Sequence, residues 1–281
     1  MFSFAAENAK IYLFFGKDVF SVIIDMHAHI FPLKLAERAA ENIGAFYDIK
    51  MAHPGSVPAL LEAMERGHID KALVHSVAMS ARQVTVINDF ILNEVSAHAD
   101  KFCGFATLHP DMENAYDEVT RVLSLGLKGV KIHSDMQQVS LLDPRMDALY
   151  EACAGRCPML LHMGDERYAY DNPRMIPEIL RRFPDLQLIC AHMGGYSEWD
   201  QAREYLKNEN VLFDCSSTSF ALGADGWRDV IRFFGADRVM FGSDFPMWDP
   251  GKEVDLLRSI GLSAEELEKI LYRNAQKYLG I

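Results

Sequence analysis

The chain has no apolar run of about 18 residues or more, so no membrane-spanning helix is expected. It has no surplus of positive charge. The 28 lysines and arginines face 40 acidic residues, a formal net charge of −12, which argues against nucleic acid and anionic membranes as partners. Cysteine is sparse: Cys103, Cys153, Cys157, Cys190 and Cys215 are odd in number and scattered. Only Cys153 and Cys157 lie close together, with no second pair, so a structural zinc finger is excluded. A reduced, cytoplasmic protein fits this usage best. No strand-like run is followed by a Gly-x-Gly-x-x-Gly or Walker pattern, which removes the usual nucleotide-binding sheets. The apolar block Ile11-Tyr12-Leu13-Phe14-Phe15 is too short for a signal peptide and is followed by Lys17 and Asp18. Residues 1–20 are therefore read as an extension outside the core fold.

What is present is a large potential core, 49% hydrophobic in 281 residues. Apolar runs of strand length fall at 22–26, 69–77, 102–108, 129–133, 159–162, 186–191, 211–215 and 238–242. Amphipathic helical patterns separate them, for example at 56–65, 84–98, 115–125, 144–154, 173–182 and 226–234. Alternating strands and helices imply parallel pairing through right-handed crossovers. Eight such units in a single domain, 21–281, predict an α/β fold of the (β/α)8 TIM-barrel type. The longest interruption, 31–67, follows the first strand and would lie over the catalytic face. Ser263-Ala264-Glu265-Glu266 reads as a capping box opening a last helix through Tyr278.

Function concentrates at the C-terminal ends of barrel strands. Seven of the ten histidines fall there or one step past: His27, His29, His75, His109, His133, His162 and His192. His27 and His29, two apart on a strand, share a face. With His162 from the fifth strand and Asp244 from the eighth they supply four ligands for one divalent ion, zinc by preference and manganese as the alternative. The bland alternative is a buried hydrogen-bonded network. His192, one strand past His162, is placed to polarise a carbonyl or move a proton, and Asp244 to relay one. His75 and His109 are expected to support or rim the site rather than to bind the ion.

These residues carry a resemblance. Ile24-Asp25-Met26-His27-Ala28-His29 with Phe31-Pro32, Gly129-Val130-Lys131-Ile132-His133, Leu161-His162-Met163-Gly164-Asp165, Ala191-His192-Met193-Gly194-Gly195 and Phe241-Gly242-Ser243-Asp244-Phe245-Pro246 appear in this order. Together with the closing helix they resemble the amidohydrolase superfamily, in the family 2 branch that includes aminocarboxymuconate-semialdehyde decarboxylase. The resemblance implies a (β/α)8 barrel, one metal held by His27, His29, His162 and Asp244, and His192 as the catalytic residue of the sixth strand. Lys131 lies where two-metal members carry a bridging carboxylated lysine, but the single-metal branch also has this pattern.

The first expectation is a metal-dependent hydrolase of a small lactone, ester or amide, using activated water. The alternative is a non-oxidative decarboxylase of a small aromatic or enol acid, and the same ligands serve both. A silent barrel acting as a binding protein is disfavoured by the complete ligand set. Lys131, His133, Arg167 and Tyr168 are the candidate substrate contacts. Arg167 would either clamp a carboxylate or hold its own loop, and Lys131 would either orient one or pair with a buried acid. A small anionic substrate and, as a possible assembly, a homodimer complete the expectation.

Overall fold

Strands start within the apolar runs, one in each, in the computed structural model, which describes residues 22–280. They are β1 (Ile24–His29), β2 (Lys71–His75), β3 (Phe102–Thr107), β4 (Gly129–Ile132), β5 (Met159–Leu161), β6 (Leu188–Cys190), β7 (Leu212–Asp214) and β8 (Val239–Met240). The strands pair in chain order, all parallel, from β1 to β8. The loop after β8 returns to β1 through Met26 N to Phe241 O (2.8 Å), Asp244 N to His27 O (2.8 Å) and His29 N to Phe245 O (2.7 Å). These bonds bring the last strand against the first, completing the ring of a TIM barrel. The expected extension at 1–20 lies outside the described residues. No helix among the described residues is long and apolar enough to cross a membrane.

Two apolar layers result. Ile24, Met26, Leu73, Phe105, Leu160, Ile189, Leu212 and Met240 fill the barrel interior. Ala28, Val74, Ala106, Val130, Leu161 and Cys190 face outward into the larger layer beneath the helices. The alternation breaks once. β1 registers Asp25 with Ala72 but Ala28 with Val74, so one extra residue is accommodated between them. A bulge inverts the facing of everything after it. Ile24 and Met26 face the interior before the bulge, and His27 and His29 take the inward-facing parity after it.

The first strand thus runs three residues beyond its sequence-predicted end at 26, because the β8 loop supplies the partners for His27 O (Asp244 N) and His29 N (Phe245 O). The segment after β1 holds two helices, α1 (Leu33–Tyr47) and α2 (Val57–Gly67). α2 begins at Ser56, whose side chain accepts from Ala59 N, and packs as the first helix of the outer ring, with Gly67 against Gly251. α1 is the true insertion. Its buried residues, Ala36, Ala40, Gly44 and Tyr47, recur at helical spacing, and Gly44 lets Ile49 and Met51 approach. The capping box at Ser263 and Glu266 is present. The helix it opens passes through a π-turn at Lys269–Arg273 before ending at Leu279.

Candidate metal and catalytic site

The bulge in β1 and the return of the β8 loop converge three groups at the strand ends. His27 Nε2 and His29 Nε2 stand 3.2 Å apart, and Asp244 Oδ1 lies 3.5 Å from the first and 3.6 Å from the second. Ligands about 2.0–2.1 Å from a zinc-like ion in tetrahedral array stand roughly 3.3 Å from each other, so this triangle has the edges of one face of a coordination shell. His27 Nδ1 lies 2.9 Å from Asp214 Oδ2, which favours the tautomer that leaves Nε2 free to bind. Ser217 Oγ donates to Asp244 Oδ2 at 2.5 Å. The residues present therefore fit a divalent ion.

His162, the fourth expected ligand, is set apart from that triangle. Its Nδ1 is 2.9 Å from His192 Nε2, and its Nε2 faces Tyr47 Oη at 3.4 Å and Asp135 Oδ2 at 3.6 Å. The potential ligand atoms of His133, Asp135 and His162 form a cluster of their own. His192 is fixed on its other side, Nδ1 lying 3.0 Å from Ser216 Oγ and 3.2 Å from Ser216 O. Gly164 has φ +75, and a Cβ there would lie 2.5 Å from Gly195 Cα. The loops after β5 and β6 therefore meet backbone to backbone, which holds His162 beside His192. His192 and Asp244 themselves have φ of 57 and 60, a left-handed conformation uncommon in non-glycine residues.

Burial is the main influence on every imidazole here. It holds His27, His29, His133 and His162 well below their ordinary range, with Lys131 and neighbouring histidines adding to it. His192 is lowered to about 4, again chiefly by burial and against the pull of Asp214. All are neutral near pH 7, the state that ligates metal. Burial raises Asp244 to about 6, opposed by the Ser217 hydrogen bond. It lowers Lys131 to about 8, opposed by Asp214, Asp244 and Asp171.

A cavity of about 360 Å³ opens above these groups. His29, His162, His192 and Asp244 line its base, and Phe31, Ile43, Phe46, Met51, Met79 and Met247 are among its apolar walls. Of the expected substrate contacts, only His133 lines it. Tyr47 Oη bonds His133 Nε2 at 2.8 Å, and the His133 ring stacks on His162 at 3.9 Å. Lys131 does not line the cavity; it is wholly buried with Nζ 3.4 Å from His27 Nε2. Arg167 and Tyr168 do not line it either. Arg167 is 40% exposed and committed to Asp165 (Nη2 to Oδ2, 2.6 Å) and Phe46 O (Nη1, 2.8 Å). Of the two roles expected for Arg167, these contacts are those of a brace, tying the loop after β5 to the end of α1. Tyr168 stacks on Phe46 at 5.4 Å. Tyr47, Asp135, Tyr196 and Ser217 escaped the sequence reading. For Tyr47 the only available signal was the apolar face of α1.

The family model described as Amidohydrolase matches residues 24–281. Gamma-resorcylate decarboxylase of Polaromonas sp. is 26% identical over 239 residues, 67% of this chain and 73% of that protein. Among solved structures, 5-carboxyvanillate decarboxylase from Sphingomonas paucimobilis superposes with a TM-score of 0.74 at 18% identity, covering 92% of this chain and 99% of that one. The 5-carboxyvanillate decarboxylase from Novosphingobium aromaticivorans, complexed with manganese and 4-hydroxy-3-methoxy-5-nitrobenzoic acid, gives 0.71 at 20% identity, over 92% and 96% of the two chains. At these identities the structural likeness establishes the shared barrel.

Proposed function

The chain belongs to the amidohydrolase family, in its family 2 branch, and from that premise we propose that it is a metal-dependent, non-oxidative decarboxylase of a small aromatic or enol acid. The observation that carries the reading is the combination of an apolar cavity of about 360 Å³ with a metal-binding triangle and His192 at its base. A flat ring fits walls of Phe31, Ile43, Phe46 and the methionines, and the base presents its polar groups at one end. The named relatives, decarboxylases rather than hydrolases, support this over the hydrolase expected first from the sequence.

His27, His29 and Asp244 would hold the ion, with His162 the expected fourth ligand. When bound, a divalent ion supplies a fixed positive charge that anchors an acid and draws electrons toward its oxygens. The manganese of the Novosphingobium structure makes manganese a candidate beside zinc. The protein's own part is positioning and proton handling. In the reaction, the bond from the substrate carbon to its carboxyl carbon breaks with the electron pair left on the substrate. Carbon dioxide departs and a proton enters at the vacated carbon. His192 Nε2 and the Asp244 carboxyl are cavity-lining groups able to hold or pass that proton. The apolar wall excludes water, which disfavours the charged carboxylate relative to neutral carbon dioxide.

The test is to load the full chain with manganese or zinc and offer hydroxybenzoic and enol acids beside a lactone and ester panel. Carbon dioxide release, with deuterium from D2O at the vacated carbon, is the expected result. Ester or lactone hydrolysis without carbon dioxide would restore the hydrolase reading.

A further inference from the structure

We infer that His75, on β2, is an additional ligand of the ion in this site; the inference rests on the reading that the site holds a metal. His75 stands opposite His29 in the parallel ladder, and Ile30 N donates to His75 O at 3.1 Å. It lies two residues past Leu73, which packs inside the barrel, so its ring has the inward-facing parity. The ring sits 4.4 Å from that of His29 at 89° and 4.9 Å from that of His27 at 70°. Potential ligand atoms of His27, His29 and His75 all lie within 4.8 Å of one another.

What makes this more than packing is that His75 is wholly buried and neither of its ring nitrogens has a hydrogen-bond partner among the described residues. Every other histidine at the base of the cavity has one: His27 on Asp214, His29 on His27, His133 on Tyr47, His162 on His192, and His192 on Ser216. A buried polar group left without a partner is costly, and native proteins rarely keep one without a use for it. An apolar residue of similar size would fill the space without that cost. An imidazole with a free lone pair beside His27 and His29, the two imidazoles that meet the Asp244 carboxylate, has its missing partner in a cation. His75 would bring ligation from β2, making β1, β2 and β8, three adjacent strands, the principal source of the shell. The triangle of His27, His29 and Asp244 would gain a further nitrogen from the side away from β5.

The experiment uses cobalt(II) as a spectroscopic probe in the full chain, with His75→Asn and His75→Leu beside the unaltered protein. Cobalt affinity is read by competition with a chelator, and the visible d–d bands report the number and kind of ligands. Thermal melting without metal checks folding. The unaltered protein should bind cobalt. His75→Leu should melt, without metal, no lower than the unaltered chain, because the unpartnered group is gone. Both variants should bind cobalt at least about 10-fold more weakly, with altered d–d intensity. Altered affinity with an unchanged spectrum would make His75 a supporting residue and overturn the inference, as would unchanged binding. If the unaltered chain binds neither cobalt, zinc nor manganese, the metal reading itself fails, an outcome distinct from a failure at His75 alone.

Discussion

The base of the cavity and its wall are built on opposite plans. At the base, buried polar side chains from strand ends brace one another: Asp214 holds His27, Ser216 holds His192, and Ser217 holds Asp244. The wall comes largely from α1 and nearby loops, and its contacts are apolar: Ile43, Phe46, Met51, Met79 and Met247. Polar groups locked at both ends keep one geometry. Methionines and a surface helix can repack around different ligands. Under the proposed decarboxylase reading, chemistry belongs to the base and substrate choice to the wall, so damage to the two should differ in kind.

The largest effect belongs to the triangle. Asp244→Ala removes one of its corners and the carboxylate that accepts from Ser217 Oγ. Metal content by elemental analysis should fall to a small fraction, and turnover should be lost by about 1000-fold or more, beyond the loss of a single proton-transfer group. Retention of full metal content would separate Asp244 from the ion and redraw the site around the histidines alone.

A smaller and more selective effect is expected at His192. Its Nε2 contacts His162, and the structure does not bring it into the triangle. His192→Asn should keep the metal and lower kcat by about 100-fold, the range of a lost acid–base group, with KM changed little. Loss of metal in this variant would make His192 part of the binding shell and blur the line between ion-holding and proton-handling residues.

How much of this contrast was legible in the sequence depends on which side of it a residue lies. The base was largely legible, because a strand end is a local feature. An apolar run that stops at a histidine announces both its position and its facing, and eight such runs implied the barrel. His162 and His192 could each be located this way, but not the bond between them, which depends on Gly164 meeting Gly195 across two loops. The bulge in β1 was also invisible. β1 is buried on both faces and has no solvent-facing side whose pattern an extra residue could disturb, so the residue becomes apparent only when the strand is registered against β2. The wall was hardly legible. Residues 31–67 read as one insertion, whereas α2 belongs to the outer ring and, of the two helices, only α1 lines the cavity. Tyr47 reaches His133 only because α1 lies as it does, and no short pattern in the sequence encodes that placement.

The smallest predicted effect sits where base and wall join, at Arg167. The sequence left this guanidinium either to clamp a substrate or to hold its own loop; in the structure it bonds Asp165 and Phe46 O, the last turn of α1. A clamp and a brace fail differently. Arg167→Ala in a clamp would weaken binding of carboxylic acids and leave uncharged ligands unaffected. In a brace it frees the end of α1 and leaves the buried Asp165 carboxylate without its guanidinium, so all ligands should suffer alike. Because Arg167 is 40% exposed, solvent screens the pair, and the stability lost should be only about 1 kcal/mol. KM should rise about 2- to 5-fold for acids, with a matching rise in the inhibition constant of an uncharged aromatic inhibitor, a shift of roughly 0.4–1 kcal/mol. Steady-state kinetics with both ligand types and a thermal melt decide the matter. A loss confined to acids, with an unchanged melt, would return Arg167 to the substrate and move part of the charge selection from the base to the wall.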